Sequence, residues 1–313
     1  MLIMKYFLSL FNFFLISLLV NSMISISVMS QQAETRPVLR DGENPYPENW
    51  SSIKQEMINR GLQYDTAWEF YKSLESSATD TVLLLDEIPD WTGLYERIGT
   101  PLVYDINDTP YNASASLKGE YAEMYAEQVA EANAGRIWDP HSGCGQVRGY
   151  PGFLKNGRPH EFAVTPHQTW HIGQARDEIR RIYTDGRPHT PEEWAYETEH
   201  GDSIGFWEGD TLITHTMYTN GGWIGRVQPY FSSSLESVEI WRKVDSENIQ
   251  ADVWIYDSEA LETPWYTRQI YKLLPQEEGD PLRLAHWWNC HDPNNIVVET
   301  EDGGTTFLDF DFD

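Results

Sequence analysis

A chain of 313 residues, 40% of them hydrophobic, can bury a real core in one large or two modest domains. Its 22 basic residues against 49 acidic ones leave a net charge of −27 and a pI near 4.5. That balance argues against a nucleic-acid or anionic-lipid surface and fits a protein kept soluble outside the cytoplasm.

The first predicted element is a leader. Residues 1–30, "MLIMKYFLSLFNFFLISLLVNSMISISVMS", place one Lys before a lightly interrupted apolar run, the pattern of a secretory signal with a cut near Ser27 to Ser30. An uncleaved anchor is the alternative, because the run approaches the ~18 residues a membrane span needs. The predicted location is periplasmic or secreted, with no membrane contact beyond this segment. Cys144 and Cys290 fit such a compartment: an even pair, far apart and without C-x-x-C spacing, reads as one disulfide closing a long loop.

Residues 31–89 read as an N-terminal arm followed by helices. The stretch 33–55 is polar and Pro-rich, while 53–78 carries Ile53, Met57, Leu62, Trp68, Phe70, Tyr71 and Leu74 at helical spacing, broken near Gly61, which predicts two short helices. The remainder, 90–313, reads as one β domain. It opens with a strand at "WTGLYERIG" (91–99) and includes one helix at 117–135 with a glycine stop.

From residue 160 the period changes to two. "EFAVTPHQTWHIGQ" predicts two strands around a turn at Pro166 and His167, and "DEIRRIYTDG" a third. "DSIGFWEGDTLITHTMYT" predicts a hairpin turning at Glu208–Asp210, "LESVEIWRKVDSENIQADVWIYD" a second, and "WYTRQIYKLLP" and "LAHWWNC" further strands. The acidic tail alternates and predicts a last edge strand. About nine short strands with tight turns make the expected fold mainly β, an antiparallel up-and-down barrel or a sandwich with an N-terminal helical extension.

Two of these segments, "IRRIYTDGRPH" (179–189) and "GDSIGFWEGDTLITHT" (201–216), resemble the signature RRIYxDGRPH…GHSIGxWEGDTLVVDT of a large, mostly uncharacterised family of secreted bacterial proteins. "WDPHSGC" (138–144) and "WNCHDPNN" (288–295) resemble two further segments of it, so that the similarity spans roughly residues 90–300. The resemblance implies a lipocalin-like barrel and no settled activity. The chain departs from the pattern at two places. Asp202 stands where the family has His, with His200 two residues earlier, and His215 stands where the family has Asp; such a swap between neighbouring strands either preserves an acid/base pair or marks a member with different chemistry.

Nine histidines are the first candidates for chemistry, because an imidazole changes charge near neutral pH. Alternation puts Ile213, His215 and Met217 on one face of their strand, so His215 points either into the core or into a barrel interior. His171 shares a face with Thr169 and Gly173, small residues that could border a cavity. Asp202 or His200 would orient these bases. Arg180 and Arg181 point to opposite faces, and Arg181 is assigned to bind a substrate anion. Tyr183, Trp207 and Trp254, from an alternating set with Trp170, Trp241, Tyr256 and Tyr271, would shape the pocket, and His189 would stand at its mouth. Each of these has a plain alternative: a hydrogen-bonded core histidine, an ion-paired arginine, an aromatic core.

A metal held by His167, His171, His189, His200 and Asp202 has no compact ligand spacing to support it, and no cofactor is expected. A hydrolase triad on a nucleophile elbow, nucleotide chemistry and dinucleotide-dependent redox chemistry also lack support. The expected function is therefore a cofactor-independent lyase, isomerase or hydrolase acting on a small, partly hydrophobic or aromatic molecule. The alternative is a non-catalytic binder of apolar ligands or glycans.

Overall fold

The computed structural model describes residues 45–79, 83–99, 115–136, 149–155, 159–174, 178–225, 227–275, 297–299 and 305–307. The leader expected at 1–30, the disulfide expected between Cys144 and Cys290 and the strand expected at 284–290 lie outside these residues.

Nine strands close into a barrel. They are β1 (Leu94–Ile98), β2 (His160–Val164), β3 (Gln168–Gly173), β4 (Glu178–Tyr183), β5 (Asp202–Glu208), β6 (Thr211–Met217), β9 (Leu235–Lys243), β10 (Asn248–Asp257) and β11 (Trp265–Leu273). Around the barrel the order is β1-β11-β10-β9-β6-β5-β4-β3-β2, with β2 closing on β1 through Leu94 opposite Glu161 and Tyr95 opposite His160. Closure removes every sheet edge and gives each strand a lumen face and an outer face. A short pair, β7 (Gly222–Trp223) with β8 (Tyr230–Phe231), is inserted between β6 and β9. In the tail, β12 (Val297–Glu299) pairs with β13 (Thr305–Phe307) as a separate two-stranded sheet, where a single edge strand was expected.

The barrel is mixed, not wholly antiparallel. β4 and β5 run parallel, with Ile182 opposite Ser203 and Tyr183 opposite Ile204. The cause lies in residues 184–201. Pro188 and Pro191 lack the amide donors that a returning strand would need, so the segment loops over the surface and delivers the chain beside the end of β4, still travelling in the same direction.

Two helices cover part of the outer face. α1 (Trp50–Gly61) and α2 (Ala67–Ser77) pack on outward residues of the sheet, among them Ile204, Phe206, Ile213, Val238, Ile240, Trp254 and Ile270. α2 starts at Thr66, whose hydroxyl accepts from the Glu69 amide at 3.1 Å, while the Glu69 carboxylate accepts from the Asp65 amide. The Thr66 cap, with Glu69 tying back the residue before it, fixes where the helix begins. Ala67, Phe70, Tyr71 and Leu74, at i, i+3, i+4 and i+7, make its buried stripe. Trp68, one of the apolar residues at helical spacing, falls beside that stripe and stays 41% exposed. The third helix, α3 (Gly119–Asn133), brings Tyr121 against Tyr230.

α1 is tied down by polar tips on β10. Trp254 donates from Nε1 to the Met57 carbonyl at 2.8 Å, and the Tyr256 hydroxyl donates to the Gly61 carbonyl at 2.8 Å. The Gly61 carbonyl also accepts from the Tyr64 amide at 3.2 Å, so the two tips add a second bond each to the last turn of α1 and fix it to β10. Trp254 is therefore a structural anchor on the outer face, and the pocket role expected for it does not follow from its position. A Cβ at Gly61 would lie 2.6 Å from Trp254 Cδ1. Gly61→Ala is accordingly expected to destabilise the protein by about 1–3 kcal/mol, the usual range for overpacking, despite alanine's better helix propensity. A denaturant melt checks this, and a stabilised variant would contradict the packing.

Candidate functional site

Four acid/base side chains from four different segments form a line on the outer face, beside α2. His215 leaves β6 toward this face, opposite Ile204 of β5 and Val238 of β9. Its Nδ1 lies 2.7 Å from Nε2 of His189, and its Nε2 lies 3.4 Å from Oε2 of Glu236. At the far end His189 Nδ1 is 3.4 Å from Asp202 Oδ2, which also accepts from the Thr190 amide at 2.7 Å. The order is Asp202, His189, His215, Glu236. The Trp68 ring lies 5.8 Å from the His189 ring and 5.2 Å from that of His215, and the Tyr71 ring lies 5.6 Å from His215.

Exposure falls toward the middle of the line. The Glu236 side chain is 30% exposed, Asp202 17%, His189 9% and His215 not at all. A molecule arriving from solvent would therefore meet Glu236 and Trp68 first, and would reach the imidazoles only through them.

A count of protons shows what the line can do. It has three contacts, and two neutral imidazoles bring one N–H each. One contact therefore lacks a proton in the resting state: the His215–Glu236 contact in one tautomer, the His189–Asp202 contact in the other. A proton taken up at the empty contact lets each ring hand on its own N–H and releases a proton at the other carboxylate, without either ring leaving its place. Burial lowers the His215 imidazole below its ordinary value, with the His189 neighbour acting in the same direction and Glu236 opposing. Burial alone would raise Asp202, but hydrogen bonds from His189 and Thr190 outweigh it and hold this carboxyl below its usual range. The arrangement suits proton transfer near neutral pH, with an anionic anchor behind a neutral base.

A second polar cluster occupies the lumen. On β4 it is Arg180 that turns inward, while Arg181 is exposed, so the inward arginine that would recognise an anion is Arg180 and the assignment to Arg181 is corrected. Arg180 Nη1 donates to Glu239 Oε2 at 2.8 Å, Nη2 to the Thr216 hydroxyl at 2.7 Å and Nε to the Ser203 hydroxyl at 3.2 Å. Both members of the ion pair are fully buried. Nearby, His171 Nε2 lies 3.0 Å from His160 Nδ1, and its ring stacks on Phe162 at 4.4 Å. Burial, with His160, Arg180 and His200 adding to it, holds His171 well below the ordinary histidine value.

The expected residues thus divide between two places. Gly201, at φ +66°, separates them: a Cβ there would meet the Met217 carbonyl oxygen at 2.4 Å, and the left-handed turn sends Asp202 outward while His200 goes to Phe153 and Glu178. Trp207 points into the lumen against Trp91. Tyr183 is half-buried beneath the Arg187 guanidinium, 4.0 Å from its ring, and Arg187 is in turn paired with Asp185. His189 is on the outer face beside Trp68 and His215, not at a barrel mouth. Glu236, Trp68, His160 and Glu239 were missed. Glu236 could have been found from the alternation of β9, which puts it on the same face as Val238 and Ile240, an acid at the end of an apolar stripe.

Residues 201–205, Gly-Asp-Ser-Ile-Gly, do have the spacing of a nucleophile elbow. Ser203 nevertheless sits within β5, buried, with its hydroxyl 2.9 Å from that of Thr216. It lacks the exposed strand-to-helix turn that such a nucleophile requires. Among the described residues no group of three or more His, Cys, Asp or Glu is gathered as a metal ion would need; His189 and His215 use their nitrogens on each other along the line.

His171 and His215, which burial holds below the ordinary histidine value, make stability depend on pH. Their folded values lie below the unfolded value of about 6.5, so the unfolded chain binds protons first as pH drops. Stability is expected to be fully present above that value and to fall below it by up to about 1.4 kcal/mol per pH unit for each ring. Urea titrations from pH 8 to pH 5 check this, and His171→Gln should flatten the slope. A slope unchanged by that substitution would contradict the assignment.

Comparisons of this chain with models of protein families, with curated proteins and with solved structures find no match. The family resemblance rests on the quoted motifs, and two of those motifs supply His189, Asp202 and His215.

Proposed function

We propose that this protein is an exported enzyme that performs general acid–base chemistry on a small, partly hydrophobic organic molecule. The reaction would be of the lyase, isomerase or hydrolase type. The observation that carries the reading is the line in which His189, His215 and Glu236 are joined by hydrogen bonds and Asp202 Oδ2 lies 3.4 Å from the far nitrogen of His189. In this reading Glu236, the most exposed member, exchanges the proton with the substrate. His215 Nε2 stands behind it to take up or return that proton, His189 passes it on, and Asp202 anchors the far ring. Trp68 offers the apolar wall beside the site. Export is supported by the signal-like pattern of residues 1–30, and the two positions at which the chain departs from the family pattern, acid at 202 and imidazole at 215, both contact His189.

The test compares wild type with His189→Ala in the presence of a small-molecule extract, followed by untargeted mass spectrometry. Wild type is expected to deplete at least one compound and to form an isomer, a fragment or a hydration product that the variant does not form. Identical profiles would overturn the enzyme reading. Thermal stabilisation of both proteins by the same compound without turnover would instead favour a binder of apolar ligands or glycans.

A further inference from the structure

One residue at the end of β6 stands in a conformation that its side chain disfavours. Tyr218 follows Met217 at φ +59°, in the left-handed region that, among the described residues and outside the glycines, only Val227 shares. A Cβ there presses on the following carbonyl oxygen, so glycine or asparagine would hold the turn at lower cost. The backbone is fixed on both sides: the Tyr218 carbonyl accepts from the Thr198 amide at 3.0 Å, and the Thr198 carbonyl from the Asn220 amide at 2.9 Å. Continued alternation would send residue 218 to the lumen with Thr216, which is bonded to Arg180. The left-handed turn brings the phenol instead to Glu192, Asp202 and Glu236, close enough to feel all three carboxylates. Partial burial, and then those charges, push it above the ordinary tyrosine value, so it stays a proton donor throughout the neutral range.

We propose, resting on the acid–base reading of the outer line, that Tyr218 binds its substrate: the hydroxyl donates to an uncharged oxygen, a carbonyl or a hydroxyl, of a molecule that carries no anionic group, and holds it beside Glu236. Strained residues persist where the surroundings over-determine them, and they cluster at sites that act on a ligand. Glycine would serve the turn; the phenol is what tyrosine brings to it. Anions are excluded by charge. Glu192, Asp202 and Glu236 stand around the phenol, while Arg187 and Lys72, which also lie near the line, are paired with Asp185 and Glu75.

The experiment gives wild type, Tyr218→Phe and Tyr218→Asn, each as the full chain, the same small-molecule extract and follows depletion by mass spectrometry. KM and kcat are then measured on the compound that wild type consumes. That compound is expected to carry a carbonyl or a hydroxyl and no carboxylate or phosphate. Tyr218→Phe keeps the ring and the backbone and loses one oxygen. Below KM it should consume the compound about tenfold more slowly, the worth of one hydrogen bond, with the loss in KM and not in kcat and with an unchanged melting temperature. Tyr218→Asn, a residue that tolerates the left-handed turn, should fold and be at least as slow. A Tyr218→Phe variant with the KM of wild type, a loss that falls on kcat, or an anionic compound would each overturn the inference and leave the acid–base reading intact. A wild type that consumes nothing would overturn that reading and the inference with it.

Discussion

Replacing Arg180 by Met is expected to destabilise the protein by about 3–5 kcal/mol, the usual consequence of removing one partner from a buried ion pair. The reason is the position of Glu239. Both side chains are fully buried, and without the guanidinium the carboxylate would keep only the Thr214 and Trp241 donors. The Ser203 and Thr216 hydroxyls, which now accept from Arg180, would lose that donor as well. Against a total stability of about 5–15 kcal/mol for a domain, this is enough to leave little folded protein. The same reasoning predicts a rescue: Arg180→Met combined with Glu239→Leu should recover most of the loss, because removing the whole pair also removes its desolvation cost. Chemical denaturation of the two variants measures both effects. A single variant as stable as wild type, or a double variant no better than the single, would show that the pair does not govern the barrel interior.

The second large effect concerns activity. His189→Ala cuts the line at its centre. It is expected to lower kcat/KM about 10²–10⁴-fold, the range that positioned proton transfer contributes. The fold should survive, since His189 belongs to the connection between β4 and β5, not to a barrel strand. His215→Ala should cost as much activity but also more stability, because His215 is buried between β5, β9 and the Trp68 and Tyr71 rings of α2. Asp202→Asn keeps an oxygen for the Thr190 amide and removes only the charge behind His189, so its loss should be smaller than that of His189→Ala. Once a substrate is known, steady-state kinetics with these three variants orders the residues, and equal effects at all three would argue against a directional line.

Much of the barrel was legible because period-two alternation survives wherever one face is buried. The two hairpins at 202–217 and 235–257 and the helix at 119–133 could be read from residue pattern alone. The parallel β4–β5 pair was not legible, since alternation says which face a residue takes but not the direction in which the next strand runs. The same limit applies to the faces themselves. Alternation placed His215 with Ile213, yet only the helices covering that face decide that it is the outside of the barrel. For Arg180 and Arg181 alternation allowed one inward arginine, and choosing between them required knowing which strand face looks into the lumen. His189 illustrates a different gap: its motif reads as a turn, and what brings it to His215 is a surface connection whose path no local pattern encodes.

The central claim is that His189 and His215 form one proton-sharing unit between Asp202 and Glu236. Long-range ¹H–¹⁵N NMR of the histidine side chains through a pH titration tests it most directly, because it reports which ring nitrogen carries the proton. The account predicts that His215 holds a single N–H at neutral pH, that its protonation below the ordinary histidine value perturbs the His189 nitrogens through their shared hydrogen bond, and that Asp202→Asn alters the tautomer of both rings. Protonation of His215 that leaves the His189 nitrogens untouched, with neither tautomer affected by Asp202→Asn, would contradict it.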